Sequence, residues 1–215
     1  MANITVIGGT GYTGGHIVAE LASRGHQVTS FSRNAAPEPV EGVTYLRGDA
    51  IDLSGIAAAV EGAEVVIGAL APRGGLTGRV AGIYQELTGL AKHPSDRLIL
   101  IGGWGSLRPA KGAPRFADGD TMPEQFRAEA REMASVVGWL EADDRGVDWI
   151  FVSPAAAYGA HSPGETTGAY RVGDDVALQD AEGGLGTEIS GTDFAKAVAD
   201  EVEQHRLRGH VAFAH

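Results

Sequence analysis

No cysteine occurs in these 215 residues, which removes disulfides, thiol nucleophiles and thiolate metal sites at once. Lysine is nearly as scarce, three residues against fourteen arginines, and arginine is the side chain suited to bidentate phosphate contact. Positive charge is in deficit overall, with a formal net charge of −11. A chain of that sign is poorly matched to nucleic acid or an anionic membrane, because both require a basic face. No helix-turn-helix pattern is present either. Long apolar runs are also missing: the longest, Val65 to Ala71, falls far short of the ~20 residues that span a bilayer. No basic-then-apolar segment of the secretory type opens the sequence, so a cytoplasmic location is expected. His205 and His210 lack carboxylates at ligand spacing, so no metal site is expected.

What is present reads as one globular domain over 1–215. The hydrophobic fraction of 43% and mean hydropathy of −0.06 are ordinary for a soluble chain, and this length can bury roughly 70% of its unfolded surface. Residues 3–14 carry the most informative pattern. An apolar strand, Asn3 to Ile7, runs straight into Gly8-x-x-Gly11-x-x-Gly14, with Thr10, Tyr12 and Thr13 between the glycines. Gly8 suits the tight turn off the strand, Gly11 lets backbone approach a pyrophosphate, and Gly14 suits close packing of the helix. The helix that follows offers free N–H groups and the positive end of its dipole to an anion.

Strand and helix signals then alternate. Strands are predicted at 27–32, 44–47, 64–70, 97–101 and 148–152. Helices are predicted at 14–23, 53–60 and 80–92, and a long one before the strand at 148 with a Thr121/Glu124 capping box. On that long helix Phe126, Ala130, Met133, Val137 and Leu140 repeat at helical spacing. Such alternation argues a Rossmann-type α/β fold, a doubly wound, mostly parallel sheet with helices on both faces. Beyond Pro154 the pattern changes. Residues 155–191 are Gly- and Pro-rich, with strand-like pieces at 170–172 and 176–179, and are expected to form a small substrate-side lobe. Ser190 and Asp193 cap a last helix, 192–204, before a final strand at 210–213.

The strand ends supply the cofactor candidates. Ser32-Arg33-Asn34 ends strand 2, where NAD sites usually carry an acidic residue; a guanidinium suits a 2′-phosphate instead. NADP(H) is therefore favoured over NAD(H). Gly48-Asp49-Ala50 ends strand 3, where Asp49 can accept from the adenine amino group or cap the next turn, and Ala50 can pack on the ring. Leu70 and Ala71 stand at the end of strand 4, Gly102 and Gly103 at the end of strand 5, and Pro154 after strand 6. The small residues at the end of strand 4 leave room for the cofactor ribose, and the end of strand 5 points at the nicotinamide. Candidate proton donors are Ser106 after strand 5, and Tyr158 and His161 after strand 6, His161 being the better matched to neutral pH. Trp104 can stack on a planar ligand or serve the core.

Taken with Gly102-Gly-Trp-Gly-Ser-Leu, Pro163-Gly-Glu-Thr-Thr-Gly and Ile189-Ser-Gly-Thr-Asp-Phe-Ala, these motifs resemble the NAD(P)H-binding, NmrA-like branch of the atypical short-chain dehydrogenases. This branch includes small bacterial NADH-flavin reductases and epimerase-like proteins. The resemblance covers the whole chain. It implies a dinucleotide cofactor and a hydride acceptor. The Tyr-x-x-x-Lys pair of ordinary short-chain dehydrogenases, in which Lys lowers the Tyr pKa for acid–base work, occurs nowhere in the sequence. The comparable helix positions look like Phe126 and Ala130. That departure points to a flavin or quinone acceptor, which takes hydride readily and can be protonated by solvent. It equally suits a redox sensor that binds dinucleotide without turnover and acts through a protein partner. A sugar-nucleotide epimerase is less compatible, since its acid–base pair is missing and the lobe is short. The expected partners are a small-molecule acceptor and, at most, a second copy of the chain as a homodimer.

Overall fold

The computed structural model describes residues 1–90, 96–120 and 122–215. In chain order the elements are β1 Asn3–Ile7, α1 Tyr12–Ser23, β2 Gln27–Ser32, β3 Thr44–Arg47, α2 Leu53–Val60, β4 Val65–Gly68, α3 Val80–Leu90, β5 Arg97–Ile101, α4 Glu124–Ala142, β6 Asp148–Pro154, β7 Arg171–Gly173, α5 Gly191–Gln204 and β8 Gly209–Ala214. One sheet runs in the order β3-β2-β1-β4-β5-β6-β8-β7. Its pairings are parallel except β7 against β8. The strand order reverses between β1 and β4, and such a switch point opens a crevice at the carboxyl ends of the strands. Among the described residues, no helix is long and apolar enough to cross a membrane.

Period-2 side-chain alternation divides the strands between two cores. Ile4, Val6, Ile99, Ile101, Ile150 and Val152 pack with Ile17, Val18 and Leu21 of α1 and Phe194 and Val198 of α5. Ile7, Leu98, Leu100 and Phe151 face the other way, onto α2, α3 and α4 through Ile56, Tyr84, Met133 and Val137. The central strands carry apolar residues on both faces because both faces are covered. Helix α1 ends in a Schellman motif: Gly25, at φ 80°, donates to Ala22, and His26 donates to Leu21.

Strands β1, β2, β3 and β5 and helix α2 occupy the predicted ranges. Three expectations need correction. Helix α4 begins at Glu124, with Pro123 at its cap position and no side-chain cap bond, so Glu124 is the first helical residue and not the third; Thr121 lies outside the described residues. The predicted end of α3 at Lys92 also lies outside them. Residues 176–179 form no strand; Val176 makes one bridge to Arg108, held by Arg108 N–H to Asp175 and Ala177 N–H to Arg108. Phe126 leaves the apolar stripe of α4: it is 43% exposed, whereas Ala130, Met133, Val137 and Leu140 are buried.

At the amino ends of the strands, opposite the crevice, Arg97 and Glu201 form an ion pair at 2.6 Å with both side chains buried. Glu201 also accepts from the Leu207 N–H at 2.8 Å, so one carboxylate ties the start of β5 to the segment between α5 and β8.

Candidate dinucleotide and acceptor cleft

A cleft of about 890 Å³ lies along the carboxyl ends of the strands. Of the residues singled out in the sequence, Gly8, Thr10, Gly11, Tyr12, Thr13, Ser32, Arg33, Asn34, Asp49, Ala50, Leu70, Ala71, Gly102, Gly103, Pro154, Tyr158 and His161 all line it. Chain segments as far apart as Gly8 and His161 therefore converge on one surface. Gly14 and Ser106 do not line it.

The glycine turn is built from backbone. Gly8, at φ 90°, donates to the Phe31 carbonyl at 2.8 Å, and Gly11 donates to the Gly8 carbonyl at 3.0 Å. A Cβ on Gly14 would stand 2.2 Å from that same Gly8 carbonyl oxygen, so Gly14 is required by contact with the turn itself. The α1 terminus carries no side-chain cap and no acid in its first turn. Its leading N–H groups thus lack intrahelical partners and face the cleft, as an anion site requires. Ser32 is partly committed, since its hydroxyl accepts from the Thr10 N–H at 3.1 Å.

The ends of β2 and β3 carry the candidates Arg33 and Asp49. Arg33 is exposed, leans over the turn at Gly75 and joins no ion pair among the described residues. A cation left free on a strongly acidic chain is the arrangement that suits a phosphate. Asp49 fulfils the capping role, accepting from the Ile51 N–H at 3.1 Å through Oδ1, and also lines the cleft.

Several strand-end glycines serve packing first. A Cβ on Gly68 would meet the Tyr84 ring at 2.7 Å, and one on Gly102 the Phe151 ring at 2.0 Å. At the end of β4, Gly68 makes room for Tyr84, whose hydroxyl donates to the Gly68 carbonyl and accepts from the Leu70 N–H.

The opposite wall comes from α4 and the turn after β5: Trp104, Gly105, Met122, Phe126, Ala130 and Met133. Trp104 stacks on Phe116 with ring centroids 3.9 Å apart, so it serves both a small core and the cleft. Phe126 and Ala130, at the comparable places for the missing Tyr and Lys, both line this wall. A Cβ on Gly105 would lie 2.7 Å from the Ala130 Cβ; the turn after β5 fills the space a lysine at 130 would need. Helix α4 also pins the loop after β4. Glu129 forks Arg73 at 2.7 and 3.0 Å, and Glu132 accepts from the Gly78 and Ala81 N–H groups at the start of α3. No short-range signal marks these pairs, which span more than fifty residues of sequence.

The proton-donor candidates separate. Ser106 is fully buried, its hydroxyl without a partner among the described residues, and it reaches no acceptor from there. Tyr158 donates to Thr13 Oγ1 at 2.9 Å, and burial pushes its pKa above the ordinary tyrosine value. It is a poor acid–base group at neutral pH. His161 remains exposed at the cleft edge beside Gly159. The lining given by the 155–191 stretch stops at His161; beyond it, Asp193 gathers Thr167 and Gly168 N–H, the Ser190 hydroxyl and His215. Residues of α4 and the start of that stretch, Ala155 to His161, therefore both border the cleft.

Behind Gly103 lies a buried polar chain. Arg115 donates to His210 Nδ1 at 3.0 Å and to Glu141 at 2.8 Å. Because guanidinium only donates, Nδ1 accepts and Nε2–H donates to Ser153 Oγ at 2.9 Å; Ser153 then donates to the Gly103 carbonyl at 3.0 Å. His210 is a neutral strut, and the Ser–His pair runs opposite to a nucleophile's. The fold also brings Asp148 to His205, a partner that sequence spacing concealed. Burial, aided by the Arg115 charge, holds the His210 pKa down to about 3 from 6.5. The unfolded chain takes up this proton first as pH falls below 6.5, so the stabilisation is complete above 6.5 and is lost toward 3, at up to about 1.4 kcal/mol per pH unit. Urea unfolding at pH 7 and pH 5 is expected to show that loss in the wild type and a smaller one in His210→Gln. Equal losses in the two proteins would contradict the neutral-strut assignment. The depressed carboxylates Asp193 and Asp200 start below 3.8 and act at lower pH. His16, also lowered by burial, is common to both proteins.

Comparison with known proteins agrees with this geometry. The NAD(P)H-binding family matches residues 8–205. The uncharacterized protein YwnB of Bacillus subtilis is 31% identical over 202 residues, 93% of this chain and 92% of that protein. Among solved structures, a candidate NADH-flavin reductase from Streptococcus pneumoniae superposes with a TM-score of 0.85 at 25% identity, over 100% of this chain and 99% of that one. A candidate epimerase from Bacteroides thetaiotaomicron does so with a TM-score of 0.85 at 26% identity, over 100% and 98%. With a Rossmann-like sheet, an open glycine turn at its switch point and a match over nearly its whole length, the chain belongs to the NAD(P)H-binding family.

Proposed function

We propose that the protein is an NADPH-dependent oxidoreductase that passes hydride to a planar flavin- or quinone-like acceptor. The carrying observation is the wall opposite the glycine turn. Where ordinary short-chain dehydrogenases place Tyr and Lys, this cleft has Phe126, partly exposed, and Ala130, packed on Gly105. Such a wall offers a flat apolar face, suited to a ring system, and no positioned proton donor for a carbonyl. Gly8, Gly11 and the α1 terminus would hold the pyrophosphate, and Arg33 the 2′-phosphate. When bound, the cofactor supplies the hydride. The chain's own work is to position two flat rings and exclude water between them. Solvent then protonates the reduced acceptor, a step for which His161 stands at the cleft edge.

The test is NADPH consumption by the purified protein with FMN, FAD, simple quinones and small aldehydes. Enzyme-dependent oxidation is expected with flavin or quinone, and Phe126→Ala should raise the acceptor KM several-fold, as losing one stacking face costs about 0.5–1.5 kcal/mol. Oxidation with aldehydes alone would overturn the acceptor class. Binding of NADPH with no oxidation by any acceptor would favour a dinucleotide sensor.

A further inference from the structure

Tyr158 is better placed to brace the cofactor site than to do acid–base chemistry. Its backbone is held by neighbours: Ala157 N–H donates to the Thr187 carbonyl and Ile189 N–H to the Ala157 carbonyl. Its ring stands edge-on to Tyr12, with centroids 5.7 Å apart, and tilts onto Phe194 at 4.8 Å. That leaves the hydroxyl one destination, Thr13 Oγ1, at 2.9 Å and 145 residues away in sequence. Both residues line the cleft.

Thr13 sits in the first turn of α1, where Gly11 at the cap position supplies no side chain. A threonine hydroxyl has one proton to give and lone pairs to receive. Once it receives from Tyr158, its own proton is free for another acceptor. The open mouth of α1 is where that acceptor would stand.

We infer that Tyr158 is a positioning residue for the dinucleotide pyrophosphate: by donating to Thr13 Oγ1, it leaves the Thr13 hydroxyl proton free for a phosphate oxygen. The inference rests on the dinucleotide reading of the cleft. It links the loop after β6 to the glycine turn, so the segment bordering the acceptor helps set cofactor affinity. No covalent step is involved.

The experiment compares NADPH with adenosine 2′-monophosphate, which carries the 2′-phosphate but no pyrophosphate. Binding is measured by calorimetry for the wild type, Tyr158→Phe, Thr13→Val and the double variant. Tyr158→Phe keeps the ring packing and removes only the hydroxyl. Each single variant should weaken NADPH about tenfold, the scale of one hydrogen bond to a charged oxygen. The double variant should be no weaker than Thr13→Val alone, because both remove the same contact. Thr13→Ser, which restores the hydroxyl, should recover most of the affinity that Thr13→Val loses. Adenosine 2′-monophosphate should bind all of them alike. Unchanged NADPH binding in Tyr158→Phe, losses that multiply in the double variant, or a parallel loss of the monophosphate would each overturn the assignment. A wild type that binds neither nucleotide would instead remove the dinucleotide reading, and the proposal with it.

Discussion

Arg33→Asp is expected to weaken NADPH by about two orders of magnitude and to leave NADH within a few-fold. The chain carries −11, and its cleft includes two arginines. Arg73 is occupied by Glu129 at 2.7 Å; Arg33 joins no ion pair among the described residues and stands exposed at the end of β2. A charge-assisted contact from a guanidinium to a 2′-phosphate contributes about 1.5–3 kcal/mol, and reversing the charge adds repulsion to that loss. Together these reach about 100-fold in Kd. NADH has no phosphate there, and an acidic residue at this position is the usual partner of its ribose hydroxyls. Calorimetric Kd values for both nucleotides with both proteins check the expectation. Equal weakening of NADPH and NADH would show that Arg33 acts on the fold of the strand end and not on the phosphate.

The largest stability loss should come from the other end of the sheet. Glu201→Ala strands the Arg97 guanidinium, whose side chain is 1% exposed and whose Nε and Nη1 already lack partners among the described residues. Burial lowers the Arg97 pKa, and Glu201, then Asp148, oppose that shift by their charge. Removing one member of a buried pair typically costs about 3–5 kcal/mol, because the remaining charge is uncompensated. At this chain length that corresponds to a Tm lower by about 6–20 °C. The double variant Arg97→Met/Glu201→Ala should recover much of the loss, since no charge is left buried. A Tm drop of only a degree or two in Glu201→Ala would mean that water solvates Arg97. Cofactor affinity should not change, because this pair lies opposite the cleft.

Legibility from sequence followed the range of the interactions. The glycine turn, the doubly wound, mostly parallel sheet and the ranges of β1, β2, β3 and β5 were readable because each rests on local periodicity and turn chemistry. Most of the cofactor candidates line one cleft for the same reason: strand ends in this topology converge. Ser106 could not be placed from sequence, because whether a residue after a strand end faces the cleft or the core depends on one turn of 3-10 helix, Trp104–Ser106. The pairing of Tyr158 with Thr13, the Arg73–Glu129 fork and the Arg115–His210–Ser153 chain join residues 56 to 145 apart. Sequence gives no register for such contacts. Phe126 was visible as part of a helical repeat; its exposure was not, because the wall it borders is completed by the distant turn at Gly105.

The measurement that bears most directly on the account is titration of the wild-type protein with NADPH and NADH, followed by tryptophan fluorescence, since Trp104 lines the cleft. A saturable change with both nucleotides, and a lower Kd for NADPH, is the expected result. No saturable change with either nucleotide would contradict it.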